Sequence, residues 1–226
     1  MCCRVVAPAW VVPEMAAGLA ASIVLGYLLG AIPTGIVAGR AFAGVDPRDA
    51  GSRNIGFTNV LRVAGKTAGI VTLIGDMGKG AMAVYLARLL LGPSAGDFIL
   101  ASGGAAILGH MFPIYLGFKG GKGVATALGV LLAADLLIGG ILVAVWLISA
   151  AIWRMSSLAA LIAFTSLPFW VWLFHPSLSM AALSTGIIIL IIYRHRDNIS
   201  RLRAGTESKF GKRSSIPDMQ KAGEGS

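Results

Sequence analysis

The sequence predicts an all-α, polytopic integral membrane protein with seven transmembrane helices, some of its segments short or re-entrant. Three observations carry that expectation. Hydrophobic residues make up 56% of the chain, charged residues only 13%, and the mean hydropathy is +0.80, which is outside the range of soluble domains. Long apolar runs are separated by short polar interruptions that hold nearly all of the basic residues. Lipid tolerates no unpaired backbone, so the runs are read as helices.

The first run, 16–39, has an apolar core longer than that of a cleaved signal peptide and is read as a span, with Met15 an alternative start of the native chain. The second, 67–91, carries Asp76, Lys79 and Arg88, and its first half up to Gly75 is expected to be re-entrant or near the cytoplasmic surface. Asp76 and Lys79 lie about one helical turn apart and are expected to form an internal ion pair. The third run is 98–118. The fourth, Val124–Ala134, is shorter than the about 20 residues that cross a hydrocarbon core. It is expected to tilt in a thinned region or to form a broken hairpin with the fifth, Leu136–Trp153. The sixth and seventh are 155–174 and 178–193, and glycines such as Gly103, Gly104, Gly139 and Gly140 are expected to let the helices approach closely.

Nearly all of the lysines and arginines fall in 40–66, 119–122, 154 and 194–226, whereas the turns at 92–97, 135 and 175–177 hold none. That alternation puts the N-terminus outside and the C-terminus in the cytoplasm. One transmembrane domain, 1–213, is expected, followed by a disordered cytoplasmic tail, 214–226. The net charge of +9 comes largely from the C-terminal region, whose expected partner is the lipid bilayer with its anionic headgroups. No aromatic-interleaved basic surface accompanies the charge, so nucleic acid is not an expected partner. The two cysteines, Cys2 and Cys3, are adjacent and can neither staple the fold nor complete a metal cluster.

Three segments on the basic side share glycine, small hydroxyls, asparagine and cations: 51–62, the loop Lys119-Gly120-Gly121-Lys122-Gly123, and 195–207. Glycines let a backbone turn tightly and aim N–H groups at an anion. Ser52, Asn54, Thr58 and Asn59 can donate to phosphate oxygens, Arg62 can bind two of them as a fork, and Lys122 supplies a point charge. A helix starting near Thr58 would add its dipole. Turn and capping chemistry explains any one such loop, but three on one face point to an anion site. A transporter or channel for a phosphate-bearing anion remains an alternative, although it calls for cations along a pathway near the midplane. No set of aspartates is spaced to hold divalent ions, and Lys122 is followed by Gly123 where a nucleotide-binding loop needs Ser or Thr.

These segments, with Gly30-Ala31-Ile32-Pro33-Thr34-Gly35 and the lead-in Gly109-His110-Met111-Phe112-Pro113, resemble the bacterial membrane glycerol-3-phosphate acyltransferases that use acyl-phosphate, the PlsY family. The match runs in order from about Ser22 to Gly211, with Arg53 where the family motif usually has glycine and Phe57 where it has alanine. The resemblance implies a multi-pass protein of the bacterial inner membrane with its active site facing the cytoplasm. It implies transfer of a fatty acyl group from acyl-phosphate to the 1-hydroxyl of sn-glycerol 3-phosphate, giving lysophosphatidic acid and phosphate. No cofactor and no metal are implied, and a soluble acyl-phosphate synthase is the partner it leaves room for. The histidine-plus-aspartate signature of other acyltransferases is absent, since Tyr115, Met180 and Ser200 stand five positions after the three histidines.

On that reading Ser52, Arg62, Lys122, His195 and Asn198 are the expected catalytic residues. Asn54, Thr58, Asn59, Lys119, Gly120, Gly121, Gly123 and Ser156 are expected to bind substrate or phosphate. Glu207, His110, Asp76 and Lys79 are expected to support the structure, with capping as the competing role for Ser156. His195 could serve as general base, or a substrate phosphate oxygen could take the proton while His195 binds phosphate.

Overall fold

The computed structural model describes residues 11–210, and every regular element among them is helical. Cys2, Cys3 and the tail at 214–226 lie outside the described residues. The elements are α1 (Val11–Ala31), α2 (Thr34–Ala43), α3 (Phe57–Leu91), α4 (Gly96–Met111), a 3-10 turn (Ile114–Leu116), α5 (Val124–Ala134), α6 (Leu136–Trp153), α7 (Ser156–Phe174), α8 (Leu178–Arg194) and α9 (Arg196–Arg203). By length and composition five segments can cross a membrane, and six if the bent α8–α9 pair counts as one span. The expected seven are reached only by adding α5, at 11 residues, and by counting α8.

The first apolar run is broken at Ile32-Pro33, because proline has no N–H to continue the helical ladder. The helix α3 is interrupted at Gly65, with φ 87° and ψ 179°, just before the second run, which then continues unbroken through Asp76 and is not re-entrant up to Gly75. The helix passes Asp76 because its carboxylate is paired internally. The Lys79 ammonium lies 2.8 Å from it, and the Thr34 hydroxyl donates to it from the start of α2. Lys79 also donates to the Ile32 carbonyl at 3.0 Å, next to the break. The expected ion pair therefore ties α3 to the α1–α2 junction inside the bundle.

Close backbone approach sets how the helices pack. A methyl group on Gly30 would lie 2.0 Å from the Ala106 carbonyl oxygen, so α1 and α4 touch backbone to backbone. Gly80 and Gly129 do the same for α3 and α5, at 2.3 Å from Thr126 and 2.0 Å from Met77. The core, from Val84 and Ala87 through Ile107, Met111, Leu131 and Leu142 to Phe164, Leu167 and Ile187, lies among α3 to α8. Large apolar side chains such as Ile74, Ile148, Trp172 and Ile189 remain exposed on the outer surface, as a lipid-facing surface requires. At His195 the chain bends by 61°, and the polar α9 leaves the line of α8.

Candidate active site

Three helices begin around one cavity of about 1010 Å³: α3 after Gly56, α5 after Gly123 and α7 after Met155. The hinge residue His195, the α9 side chains Asn198 and Arg201, and Glu207 complete its polar part. The cavity continues into an apolar part lined by Leu73, Met77, Leu128, Val143, Trp146 and Leu147. All three polar sequence segments thus meet at one place, joined to a groove of hydrocarbon character.

The first segment organises itself before it can bind anything. Asn59, 2% exposed, donates its amide to the carbonyls of Pro47, Ala50 and Asn54 and accepts the Ser52 N–H at 2.8 Å. Asn54 accepts the Gly56 N–H at 2.8 Å, a local turn before α3. These two asparagines therefore shape the loop that carries Ser52. Thr58 reaches across to Ser156, with their hydroxyl oxygens 2.8 Å apart, so Ser156 is no cap of α7. Arg62 lines the cavity without a hydrogen-bond partner among the described residues.

The second and third segments meet through Lys122, whose ammonium donates to the Asn198 side-chain carbonyl. The Asn198 amide donates to Glu207 at 2.6 Å, and Glu207 also accepts from Ser157 at 2.6 Å and Arg201 at 2.7 Å. Burial alone would raise the Glu207 carboxyl, but those three donors hold it below the usual carboxylate range. Burial pushes Lys122 down to about 8, against the opposing charge of Glu207. His195 is brought down to about 4, first by burial and then by the nearby Lys122 charge. Its Nδ1 donates to the Ile191 carbonyl at 2.8 Å, which leaves Nε2 of the neutral ring as an acceptor.

Some expected binders sit elsewhere. Lys119 is exposed, and neither it nor Gly120 nor Gly121 lines the cavity. The Gly120 and Gly121 N–H groups donate to Met111 and His110 at 3.2 and 3.0 Å, so they do not face an anion. Gly123 does line the cavity, with φ 82° as it turns into α5. His110 and Asp76 line the cavity, whereas Lys79 does not. Residues that join the site without having been among the expected catalytic or binding residues are Ser157, Arg201 and the pair Trp146 and Phe210, whose rings meet edge to face at 6.5 Å. Among the described residues no group of three or more His, Cys, Asp or Glu side chains is arranged to hold a metal ion.

Comparison with known proteins agrees with this geometry. The family model described as glycerol-3-phosphate acyltransferase matches residues 20–205. A glycerol-3-phosphate acyltransferase of Jannaschia sp. (strain CCS1) is 52% identical over 199 residues, 87% of this chain and 95% of that relative. One from Cereibacter sphaeroides (strain ATCC 17025 / ATH 2.4.3) is 47% identical over 206 residues, 90% of this chain and 96% of that relative. Among solved structures, the integral membrane glycerol 3-phosphate acyltransferase PlsY (YgiH) in its glycerol 3-phosphate form superposes with a TM-score of 0.80 at 38% identity, covering 85% of this chain and 96% of that one. Its lysophosphatidic acid form gives 0.78 at 36%, covering 85% and 95%. With residues 20–205, and so nearly all of the helical body, inside the family match, the chain belongs to the glycerol-3-phosphate acyltransferase family.

Proposed function

We propose that this glycerol-3-phosphate acyltransferase takes its acyl group from an acyl-phosphate and delivers it to the 1-hydroxyl of sn-glycerol 3-phosphate, releasing lysophosphatidic acid and inorganic phosphate. The observation that carries the reading is the junction of a cationic, hydroxyl-rich chamber with an apolar groove in one cavity. The chamber suits two phosphate groups and the groove an acyl chain. Lys122 and Arg62 offset the repulsion between the two phosphates, and Ser52, Thr58 and Asn198 orient them. The hydroxyl oxygen of glycerol 3-phosphate attacks the acyl carbonyl carbon. The bond from that carbon to the phosphate oxygen breaks, and phosphate departs. A mixed anhydride is already activated, so no acyl-enzyme intermediate is needed.

The proton from the attacking hydroxyl goes to a substrate phosphate oxygen. A phosphate monoester takes up a proton near pH of about 6, whereas His195 is held at about 4 and is the weaker base. His195 then serves through Nε2 as an acceptor that orients the hydroxyl or a protonated phosphate. We assign seven passes, an outside N-terminus and a site on the cytoplasmic face of the inner membrane, supported by the basic residues around the cavity and in the loop at 119–122. An acyl-phosphate made by a soluble synthase would reach the site from that face. A cysteine at position 119 should react with an impermeant reagent only in inside-out vesicles.

The donor is tested with purified protein, glycerol 3-phosphate, a metal chelator and either palmitoyl-phosphate or palmitoyl-coenzyme A. Lysophosphatidic acid from palmitoyl-phosphate alone supports the reading. Product from the thioester overturns it, and no product from either donor in a folded sample turns attention to anion transport.

A further inference from the structure

Arg194, the last residue of α8, does not line the cavity, yet it holds the loop that carries Lys122. Its Nε donates to the Gly121 carbonyl at 2.9 Å, and its Nη2 donates to the Gly120 carbonyl. The guanidinium carbon lies 5.5 Å from the Phe112 ring centroid, and the Phe112 carbonyl is itself held by the Tyr27 hydroxyl at 2.7 Å. From the opposite side the loop presses on the end of α4. A methyl group on Gly120 would meet the His110 carbonyl oxygen at 2.2 Å, and one on Gly121 would meet His110 Nε2 at 2.1 Å. The glycine pair is thus clamped between His110 and Arg194. Four residues after Arg194, Asn198 accepts from the Lys122 ammonium.

We propose that Arg194 is a positioning residue for acyl transfer: its forked grip on the Gly120 and Gly121 carbonyls fixes the loop backbone while Asn198 fixes the Lys122 side chain. The α8–α9 hinge thereby sets both ends of the same lysine. A lysine at position 194 could reach one carbonyl but could neither fork across two nor stack on Phe112. The inference rests on the assignment of Lys122 to substrate phosphate, and the two are separated below.

The test compares Arg194→Lys, Arg194→Ala, Lys122→Ala and, as a charge control, Arg196→Ala, whose exposed guanidinium sits over Tyr193. Each is measured for kcat and KM toward glycerol 3-phosphate at matched folded fraction. Displacing the lysine is expected to lower kcat/KM in both Arg194 variants by about tenfold to a hundredfold, with a raised KM. Methylguanidinium added to Arg194→Ala is expected to restore part of the rate, and Arg196→Ala is expected to behave as wild type. A mere tether for α8 would lower only the amount of active protein, leaving KM unchanged and guanidinium without effect; that result overturns the proposal. Equal impairment in Arg196→Ala overturns it too, since charge alone would then explain the loss. Activity surviving in Lys122→Ala would sink both the site assignment and this inference, whereas a dead Lys122→Ala beside a wild-type-like Arg194→Lys sinks the inference alone.

Discussion

The Glu207 carboxylate accepts the Asn198 amide N–H at 2.6 Å, and that bond turns the Asn198 carbonyl toward Lys122. The orientation of an amide is a choice between two nearly isosteric states, and here a carboxylate makes the choice. In Glu207→Gln the charge that raises the Lys122 pKa is lost, so the basic limb of the pH–rate profile should move to lower pH. The rate at neutral pH should fall, by up to about 100-fold if the ammonium is displaced. A variant with a wild-type pH profile would show that Glu207 does not act through Lys122.

The wild-type pH dependence follows from the half-buried Lys122 and the buried His195. Lys122 must be an ammonium to hold phosphate, so kcat/KM should decline as pH rises through about 8. His195 ionises at about 4 in the fold against 6.5 in a free chain, so the unfolded state binds more protons between those values. Stability therefore rises with pH across that window and is lost on acidification through it. Thermal midpoints in detergent at about pH 4.5 and about pH 7 should differ less in His195→Gln than in wild type. Parallel midpoints in the two proteins would remove His195 from this account.

The residues that form the polar chamber were legible in the sequence because Ser52, Arg62, Lys122 and Asn198 are conspicuous between apolar runs. The Asp76–Lys79 pair was legible as well, from helical spacing alone. Other features had no local signal. Gly65 interrupts α3 at φ 87°, but nothing distinguishes it in sequence from the other glycines of a chain that has 30. Arg194 and Gly120 are joined across the fold, as are Trp146 and Phe210, and no periodicity reports such pairs. Ser156 follows the rule for a helix cap in sequence, yet Thr58 from another helix takes its hydroxyl.

Gly121 tests the clamp from its lower side. Its φ is not left-handed, so alanine is excluded by contact with His110 and not by backbone strain. Gly121→Ala should displace the lysine loop and reduce activity by up to about 100-fold. Combining it with His110→Ala removes the colliding ring, and the double variant should be more active than Gly121→Ala alone. Simple additivity of the two losses would mean that the collision is not what harms the single variant.

Asp76 is 2% exposed and faces the Lys79 ammonium within the bundle. Replacing Asp76 with leucine leaves that ammonium unpaired in a dry environment, a change that costs about 3–5 kcal/mol. The double variant Asp76→Leu, Lys79→Met buries no charge and should regain much of the thermal midpoint lost in the single. If Asp76→Leu alone unfolds at the wild-type temperature, the ion pair does not hold α3 to the α1–α2 junction.

Arg53 presents the opposite case, a residue whose backbone works against its side chain. It sits at φ 56° in the loop before α3, a conformation that costs an L-residue about 1–2 kcal/mol and glycine almost nothing. Its side chain is exposed and does not line the cavity, so no packing compensates for the strain. The cation beside Ser52 is the one feature that glycine would lack, and an exposed charge acts at a distance on anionic substrates. Arg53→Gly should therefore raise the thermal midpoint while raising KM for glycerol 3-phosphate, and the KM difference should shrink as ionic strength increases. A KM difference that persists unchanged in high salt would point to direct contact between Arg53 and substrate. A lowered thermal midpoint would show that the strained loop draws stability from this side chain.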